Sequence, residues 1–273
     1  MKPKKFLLHV VIVVLFITVF SVTASAETVS GLRSLCGQGN YISIVYDVDS
    51  AKGVLDICVS GAKNDISLGL YNGDNNYNYR LKSGEKAAIP LNMGDGEYAL
   101  KVRIYLEETL MEVLWKTTLT VNLECEQAPY LSPSKIVNWT DDMPLTEMAK
   151  SIAAENDPRK AALDICRFIS LRYSYDTSGV VPPVGYIPEL AAVYEKNTGI
   201  CYDYAALYAA MCRSVGIPVK LIMGYSSYFP KDAYHAWCRV YIDGEWLLVD
   251  PVYNMARGGA FLDAGKTVEL RQY

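Results

Sequence analysis

The sequence predicts an α+β protein: an N-terminal antiparallel β-sandwich of immunoglobulin-like kind, followed by a domain in which helices pack on an antiparallel sheet. Short runs of β-branched and aromatic residues, separated by Gly, Asn and Asp, fill residues 41–123, and helical spacing begins near residue 145. The 273 residues also exceed a typical single domain of about 150. We therefore expect a signal peptide (1–26), a β-sandwich domain (27–125), a linker (126–144) and a second domain (145–273).

The first residues are typical of a secretory signal peptide. Three lysines precede an apolar run over residues 6–20, and Ala24-Ser25-Ala26 offers a cleavage pattern of small residues. The apolar run is shorter than the roughly 20 residues that span a bilayer, which favours cleavage after Ala26 over an uncleaved membrane anchor. Both alternatives predict an extracytoplasmic location, secreted or at the cell surface.

Charge and cysteine content narrow the possible partners. Without residues 1–26 the chain keeps 23 basic and 30 acidic residues, a formal charge of −7, which argues against nucleic acid as a partner. All seven cysteines follow residue 26, and an odd number leaves at least one thiol unpaired. The same segment has a single histidine and no Cys-x-x-Cys, so we expect no metal centre and no cofactor.

The region 41–123 contains seven candidate strands. Alternation is clearest in residues 99–106, where Leu100, Val102, Ile104 and Leu106 are predicted to face a core. Three cysteines in or beside this domain (Cys36, Cys58 and Cys125) are candidates for one disulfide of undetermined pairing. The candidate strands are 41–47, 54–59, 66–71, 77–81, 87–91, 98–106 and 110–123.

A proline-containing stretch, residues 124–144, predicts the boundary between the domains. Helices are predicted near 145–154 and at 158–172, the second with Asp157 as its N-cap and Pro158 in its first turn. Residues 177–188 carry two glycines and three prolines and predict a loop.

The informative segment begins at Cys201. Residues 201–216 predict a helix that ends at Gly216 before Ile217-Pro218, with small and apolar residues that indicate burial. Cys201 falls at the N-terminus of this helix, where unpaired N–H groups and the helix dipole favour a thiolate. By contrast, Cys166, Cys212 and Cys238 lie inside apolar patterns and are expected to be inert buried thiols.

A predicted hairpin brings His235 towards Asp250. Asp243-Gly244 separates two alternating runs, residues 234–241 and 245–250. With a two-residue loop, Trp237 lies opposite Asp250 and His235 lies one diagonal step away; with a four-residue loop, His235 itself lies opposite Asp250. Both registers place the imidazole near the carboxylate, although Asp250 before Pro251 also suits a plain turn or cap residue.

A thiol at a helix start, an imidazole beside it and a carboxylate that orients the imidazole are the parts of nucleophilic catalysis. The chain resembles the transglutaminase-like superfamily of papain-like fold in four blocks, and the resemblance covers about residues 145–255. The blocks are Gly199-Ile200-Cys201-Tyr202-Asp203-Tyr204-Ala205, Arg213-Ser214-Val215-Gly216-Ile217-Pro218, His235-Ala236-Trp237 and Gly244-Glu245-Trp246-Leu247-Leu248-Val249-Asp250-Pro251.

The resemblance implies Cys201 as nucleophile, His235 as base and Asp250 as the third member, in an exported protein of bacterial type. It also implies an upstream side chain for the oxyanion, for which Tyr186 is the candidate. We expect a cysteine protease, amidase or acyltransferase acting on protein or peptide carboxamides, with oligomeric state open. The alternative is a non-catalytic binding or scaffolding protein at the cell surface. A triad sealed under the loop 177–188 would favour that alternative.

Overall fold

The computed structural model describes residues 28–37, 40–155, 157–179, 181–228, 233–257, 261–262 and 267–273. The predicted signal peptide lies outside the described residues. Among the described residues, no helix has both the length and the apolar character needed to cross a bilayer.

The described chain runs from eight strands into a region of alternating helices and strands. The strands are β1 (Thr28–Gly37), β2 (Asn40–Asp49), β3 (Val54–Ser60), β4 (Ile66–Asn72), β5 (Asn75–Leu81), β6 (Lys86–Pro90), β7 (Gly96–Tyr105), β8 (Met111–Val121), β9 (Ser174–Tyr175), β10 (Thr198–Gly199), β11 (Val219–Ser226), β12 (Ala233–Ile242), β13 (Glu245–Val249) and β14 (Thr267–Gln272). The α-helices are α1 (Pro144–Ile152), α2 (Pro158–Arg172), α3 (Leu190–Glu195), α4 (Cys201–Arg213) and α5 (Pro251–Arg257).

The N-terminal half forms two antiparallel sheets of four strands, in the orders β1-β2-β3-β6 and β5-β4-β7-β8. All seven predicted strands are present, and β1 is an addition because its mixed Ser, Gly and Arg sequence has no clear alternation. Apolar residues from both sheets belong to one buried cluster, as alternation along each strand requires. The antiparallel character is confirmed, whereas the immunoglobulin-like class stays a prediction.

The predicted inward face of β7 is correct for Leu100, Val102 and Ile104, which are buried. The prediction for Leu106 is wrong: β7 ends at Tyr105, and Leu106 is 38% exposed in the following turn. The side chain loses the pleat that would have pointed it inward.

The expected disulfide is absent from the part of the chain that the structure describes. Cys58 and Cys125 are both free thiols, and any pairing among Cys36, Cys58 and Cys125 requires at least one of them. Cys58 lies within β3, whereas Cys125 lies in the exposed turn after β8.

The segment predicted as a linker packs against its surroundings. It contains a short 3-10 helix, Ala128–Tyr130, and its side chains Tyr130 and Val137 are buried. Lys135 pairs with Glu85 next to β6, and the carbonyl of Ser132 accepts a hydrogen bond from Arg213 (3.1 Å). The segment therefore joins the two halves through direct contacts.

The C-terminal half packs helices around α4 and against a sheet of order β13-β12-β11-β14. Helix α4 is surrounded by α1, α2, α3, α5, β11 and β12, and every residue from Asp203 to Arg213 is buried. Alanines at positions 205, 206, 209 and 210 allow neighbours to approach on all sides. Helix α2 has the predicted N-cap, since the Asp157 carboxylate accepts from the N–H of Lys160 (3.0 Å).

Residues 267–273 pack against both halves of the molecule. Strand β14 pairs with β11, and Tyr273 exchanges two backbone hydrogen bonds with Leu221, each of 2.8 Å. The Tyr273 ring packs edge-on against Tyr77 and Tyr79 of β5. The Asn92 side chain donates to the carbonyl of Gln272 (2.9 Å). The sequence gives few signals here because β14 has no regular burial pattern.

Candidate active site

Cys201 is the first residue of α4, and its surroundings are built by Asp203 two positions later. One carboxylate oxygen of Asp203 accepts the N–H of Ile200 (2.9 Å), and the other accepts the hydroxyl of Tyr186 (2.6 Å). A carboxylate in the first turn satisfies a free N–H and suits the positive end of the helix dipole. The helix start that carries Cys201 is thereby fixed, and the Cys201 side chain stays half-buried.

His235 and Asp250 meet across the β12–β13 hairpin. Ile242 pairs with Glu245 and Cys238 with Val249, so the two-residue loop is correct and the four-residue alternative is wrong. Asp243 and Gly244 have φ of 54° and 88°, as this tight turn requires. His235 Nε2 lies 2.8 Å from Asp250 Oδ2, and both side chains are buried.

Asp250 has a second set of partners. Its Oδ1 accepts the backbone N–H groups of Val252 (2.9 Å) and Tyr253 (3.1 Å) at the start of α5. Asp250 is therefore both a helix cap and the partner of His235, because each of its two carboxylate oxygens serves one of these roles. These bonds hold the carboxylate in place while Oδ2 orients the imidazole.

The environment of His235 favours its protonated form. Burial acts to lower the pKa of His235, but hydrogen bonds to Asp250 and Cys201 and their negative charges outweigh it and raise the pKa to about 9. The contact with Cys201 involves the imidazole, and Nε2 is engaged by Asp250. The imidazole of His235 therefore bridges the thiol of Cys201 and the carboxylate of Asp250.

Tyr175 is a site residue that sequence reasoning missed. Its hydroxyl lies close enough to Cys201 for the side chain and the backbone of Cys201 both to affect its pKa. Burial and the neighbouring Cys201 raise the pKa of Tyr175 to about 12, which keeps its hydroxyl protonated at neutral pH. The parallel pairing of β9 with β10 explains this position, because Tyr175 lies opposite Gly199, two residues before Cys201.

Tyr186, the sequence-based candidate for the oxyanion, lies near the site with its hydroxyl donated to Asp203. Its ring packs edge-on against Tyr202, with centroids 6.1 Å apart. Burial and the Asp203 carboxylate raise the pKa of Tyr186. This geometry gives it a contact with the helix start, and its assignment to the oxyanion stays a prediction.

Cys201 and His235 open into a pocket of about 520 Å³ that both halves of the chain line. The β half contributes Asn78, Tyr79 and Arg80, and the loop 181–187 forms another wall without sealing Cys201. The remaining lining includes three tyrosines, Tyr202, Tyr234 and Tyr273. The pocket is large enough for part of a peptide.

The other thiols of this half have a different environment. Cys166, Cys212 and Cys238 are fully buried. Burial raises the pKa of Cys166 to about 12 and raises the pKa of Cys212 and Cys238 further. These thiols are protonated at neutral pH, which fits the expectation of inert core residues.

Comparison with known proteins relates one segment of the chain to a family. A model of the transglutaminase-like superfamily matches residues 146–251, which include Cys201, His235 and Asp250. Residues 146–251 belong to the transglutaminase-like superfamily. The transglutaminase-like segment covers α1 to the start of α5, so the α4–sheet unit described above is its core.

Similar proteins match the chain in part. An uncharacterised protein of Mycobacterium leprae is 32% identical over 130 residues, which cover 43% of this chain and 43% of the relative. The kyphoscoliosis peptidase of Homo sapiens is 36% identical over 62 residues, 20% of this chain and 9% of the peptidase. The chain thus matches less than half the length of either relative.

A solved structure, a candidate cysteine protease from Cytophaga hutchinsonii, aligns with a TM-score of 0.43 at 18% identity. The alignment covers 77% of this chain and 77% of that chain.

Proposed function

We propose that this protein is an exported, cysteine-dependent acyl-transfer enzyme that acts on protein or peptide carboxamides, by hydrolysis or transamidation. The observation that carries the proposal is the arrangement of Cys201 at a helix start, with its imidazole partner His235 held by Asp250. The opening of Cys201 into the 520 Å³ pocket supports an enzyme over a binding protein. Export rests on the sequence of residues 1–26.

The proposed reaction has two steps. The Cys201 thiolate attacks the carboxamide carbon, and the C–N bond breaks as protonated His235 gives its proton to the leaving amine, which leaves a thioester. Water or a second amine then attacks the thioester carbon and gives a proton to His235. The C–S bond breaks, and the thiolate and imidazolium are restored. Asp250 keeps the imidazole oriented through both steps.

The developing oxyanion needs two donors near Cys201. The backbone N–H of Cys201 is one. The Tyr175 hydroxyl is the stronger candidate for the second, because it lies near enough to the Cys201 backbone for that backbone to lower its pKa, whereas the Tyr186 hydroxyl is donated to Asp203. A substrate oxygen that accepted a hydrogen bond from the Cys201 N–H would also lie close to the O–H of Tyr175.

The test is the rate of Cys201 alkylation by iodoacetamide against pH, measured by peptide mass spectrometry. Cys125 is an exposed free thiol of the same molecule and serves as the internal reference. We expect Cys201 to react faster than Cys125 below pH 8 and to lose this advantage in His235→Ala, because the imidazolium stabilises the thiolate. Equal alkylation rates at both cysteines, unchanged in His235→Ala, would contradict the proposed enzyme and favour the alternative of a non-catalytic binding protein.

The same profile tests the role of Asp250. His235 keeps its proton up to its raised pKa of about 9, so we expect an inflection in the Cys201 profile near that pH. Asp250→Asn weakens the hydrogen bond that raises the pKa of His235, and the inflection should move to lower pH. Asparagine keeps an oxygen for the N–H groups of Val252 and Tyr253, so α5 retains its cap. An inflection that stays near pH 9 would contradict this role.

A further inference from the structure

Strand β5 is an edge strand whose free side faces the pocket. It pairs with β4 alone among the described strands. The β4–β5 turn has two residues, with Gly73 at φ 56°, so Asn72 and Asn75 form a hydrogen-bonded pair. Because such pairs alternate in an antiparallel ladder, Tyr77 and Tyr79 also bond to β4. The backbone N–H and C=O of Asn78 and Arg80 therefore point away from β4.

An independent contact supports this orientation. The register gives Asn76 the same outward direction as Asn78 and Arg80. The Asn76 carbonyl does point away from β4, since it accepts the guanidinium of Arg271 at 2.8 Å. Within the described part of the chain, no backbone hydrogen bond occupies the outward groups of Asn78 or Arg80.

The lining of the pocket shows which side of β5 it meets. Successive side chains of a strand point to opposite faces: Tyr79 is buried in the core, whereas Asn78 and Arg80 are exposed. Yet all three consecutive residues line the pocket that contains Cys201 and His235. Consecutive residues meet one cavity when the cavity lies along the edge of the strand, where the backbone groups are.

We propose that the acyl-donor substrate is an extended polypeptide segment that pairs with the free edge of β5 as an added strand and presents its carboxamide to Cys201. This inference rests on the proposed function. Asn78 and Arg80 together offer two donors and two acceptors about 7 Å apart, the repeat of an extended partner. Main-chain pairing recognises a backbone conformation, so a folded helical segment would not fit.

The charges of the pocket favour a neutral segment. Arg80 is paired with Asp65 (2.7 Å) and Lys135 with Glu85. Among the described residues, these two basic side chains of the lining are therefore neutralised. The neighbouring surface consists mainly of tyrosine, aliphatic and proline side chains, which suits apolar side chains on the bound strand.

The experiment uses the wild-type protein and acetyl-Val-Ala-Phe chloromethyl ketone, which carries its electrophile where the scissile amide would be. The rate of Cys201 modification is compared with that of analogues N-methylated at one backbone amide at a time. An added strand bonds through every second residue. We expect an alternating pattern, with methylation of an inward amide slowing the reaction about 5-fold to 10-fold and methylation of the adjacent amide having little effect.

A matched pair of variants tests the strand itself. Asn78→Pro removes an outward N–H in the pocket, and Asn76→Pro removes an outward N–H outside its lining. Proline is tolerated where an edge N–H is unbonded. The rate ratio of the peptide ketone to iodoacetamide should fall about 5-fold to 10-fold in Asn78→Pro and stay unchanged in Asn76→Pro. Thermal unfolding checks that both variants fold.

The outcomes separate this inference from the proposed function. Equal effects of all N-methyl positions, or equal ratios in the two proline variants, would overturn strand addition while His235-dependent alkylation by iodoacetamide persisted. Loss of that His235 dependence would overturn the proposed function instead. The N-methyl series needs no variant, so it decides the question even if Asn78→Pro does not fold.

Discussion

At the scale of single residues, the two carboxylate oxygens of Asp250 bind different partners. Oδ1 holds the first N–H groups of α5, and Oδ2 holds His235. A carboxylate that bonded His235 alone could rotate and release the ring. Because α5 fixes its plane, the imidazole orientation is set by a helix rather than by a single side chain.

The residue-scale prediction concerns the oxyanion. A peptide aldehyde, acetyl-Val-Ala-Phe aldehyde, adds to a thiolate and forms a tetrahedral adduct whose oxygen resembles the proposed intermediate. We expect Tyr175→Phe to weaken inhibition by this aldehyde about 100-fold, since loss of one oxyanion donor costs that order of magnitude. The inhibition constant is measured from protection of Cys201 against iodoacetamide.

Tyr186→Phe is the comparison for this prediction, because it also removes one phenol hydroxyl near Cys201. We expect a smaller loss, with a lower melting temperature from the lost bond to Asp203. A larger loss in Tyr186→Phe than in Tyr175→Phe would return the oxyanion to the residue that the sequence indicated.

Cys201, His235 and Asp250 could be singled out from the sequence because their local patterns are strong. The helix signals begin at Cys201, and Asp243-Gly244 indicates a hairpin in which both possible registers bring His235 near Asp250. Tyr175 could not, because it lies in a strand of two residues whose parallel partner, β10, is equally short. Such a pairing leaves no periodicity in the sequence.

At the scale of elements, the close approach of β14 to β11 depends on Gly224. A Cβ at this position would lie 2.0 Å from the carbonyl oxygen of Val268 and 2.9 Å from the Trp237 ring. The register of the two strands shifts between Met223 and Gly224. The missing side chain therefore permits the irregular pairing.

The element-scale prediction is that Gly224→Ala loosens β14. We expect destabilisation of about 1–3 kcal/mol, the usual cost of overpacking, with faster amide hydrogen exchange in Val268 to Arg271. The β12–β13 pairing provides the internal control, because it lies on the far side of the sheet order from β14. Unchanged protection of β14 would contradict this prediction and would mean that the sheet accommodates the methyl group without losing the β11–β14 pairing.

The sequence predicted α1, α2, α4 and most strands, whereas α3, α5, β9, β10, β1 and β14 were missed. The two longest of the missed strands, β1 and β14, have a feature in common. Both are edge strands of their sheets. An edge strand is held by backbone bonds on one side and needs no regular apolar face. Strands β5 and β7, by contrast, alternate between buried and less buried residues, and their sequences show that alternation.

At the scale of the whole molecule, Arg213 joins four segments at the end of α4. Its guanidinium donates to the carbonyls of Ser132 (3.1 Å), Val219 (3.0 and 2.7 Å) and Tyr273 (2.8 Å). The side chain is 2% exposed, and burial lowers the pKa of Arg213 to about 10. The arginine thus connects the segment predicted as a linker with β11 and β14.

The whole-molecule prediction is that Arg213→Lys uncouples the two halves. An ammonium cannot reach three separate carbonyls as the planar fork does, and we expect a loss of about 3 kcal/mol. Scanning calorimetry should record one transition for the wild type and two for the variant. A single transition at an unchanged temperature would mean that the apolar contacts alone couple the halves.

The sequence predicted two regions with different patterns. The structure has both, and they are in direct contact with each other. The proline-containing stretch was assigned to a linker because prolines interrupt regular elements. Its burial depends on contacts with distant residues, such as Lys135 with Glu85, and such contacts leave no local signal. The domain division itself stays a prediction.

The shared walls of the pocket have an evolutionary consequence. Cys201 and His235 lie on α4 and on the β12–β13 hairpin, whereas Asn78, Tyr79 and Arg80 belong to the β4–β5 hairpin. If the proposed function holds, mutations in that second hairpin would change which substrates are accepted without altering the proposed chemistry. Paralogues that differ in this hairpin would then differ in substrate preference while keeping Cys201, His235 and Asp250.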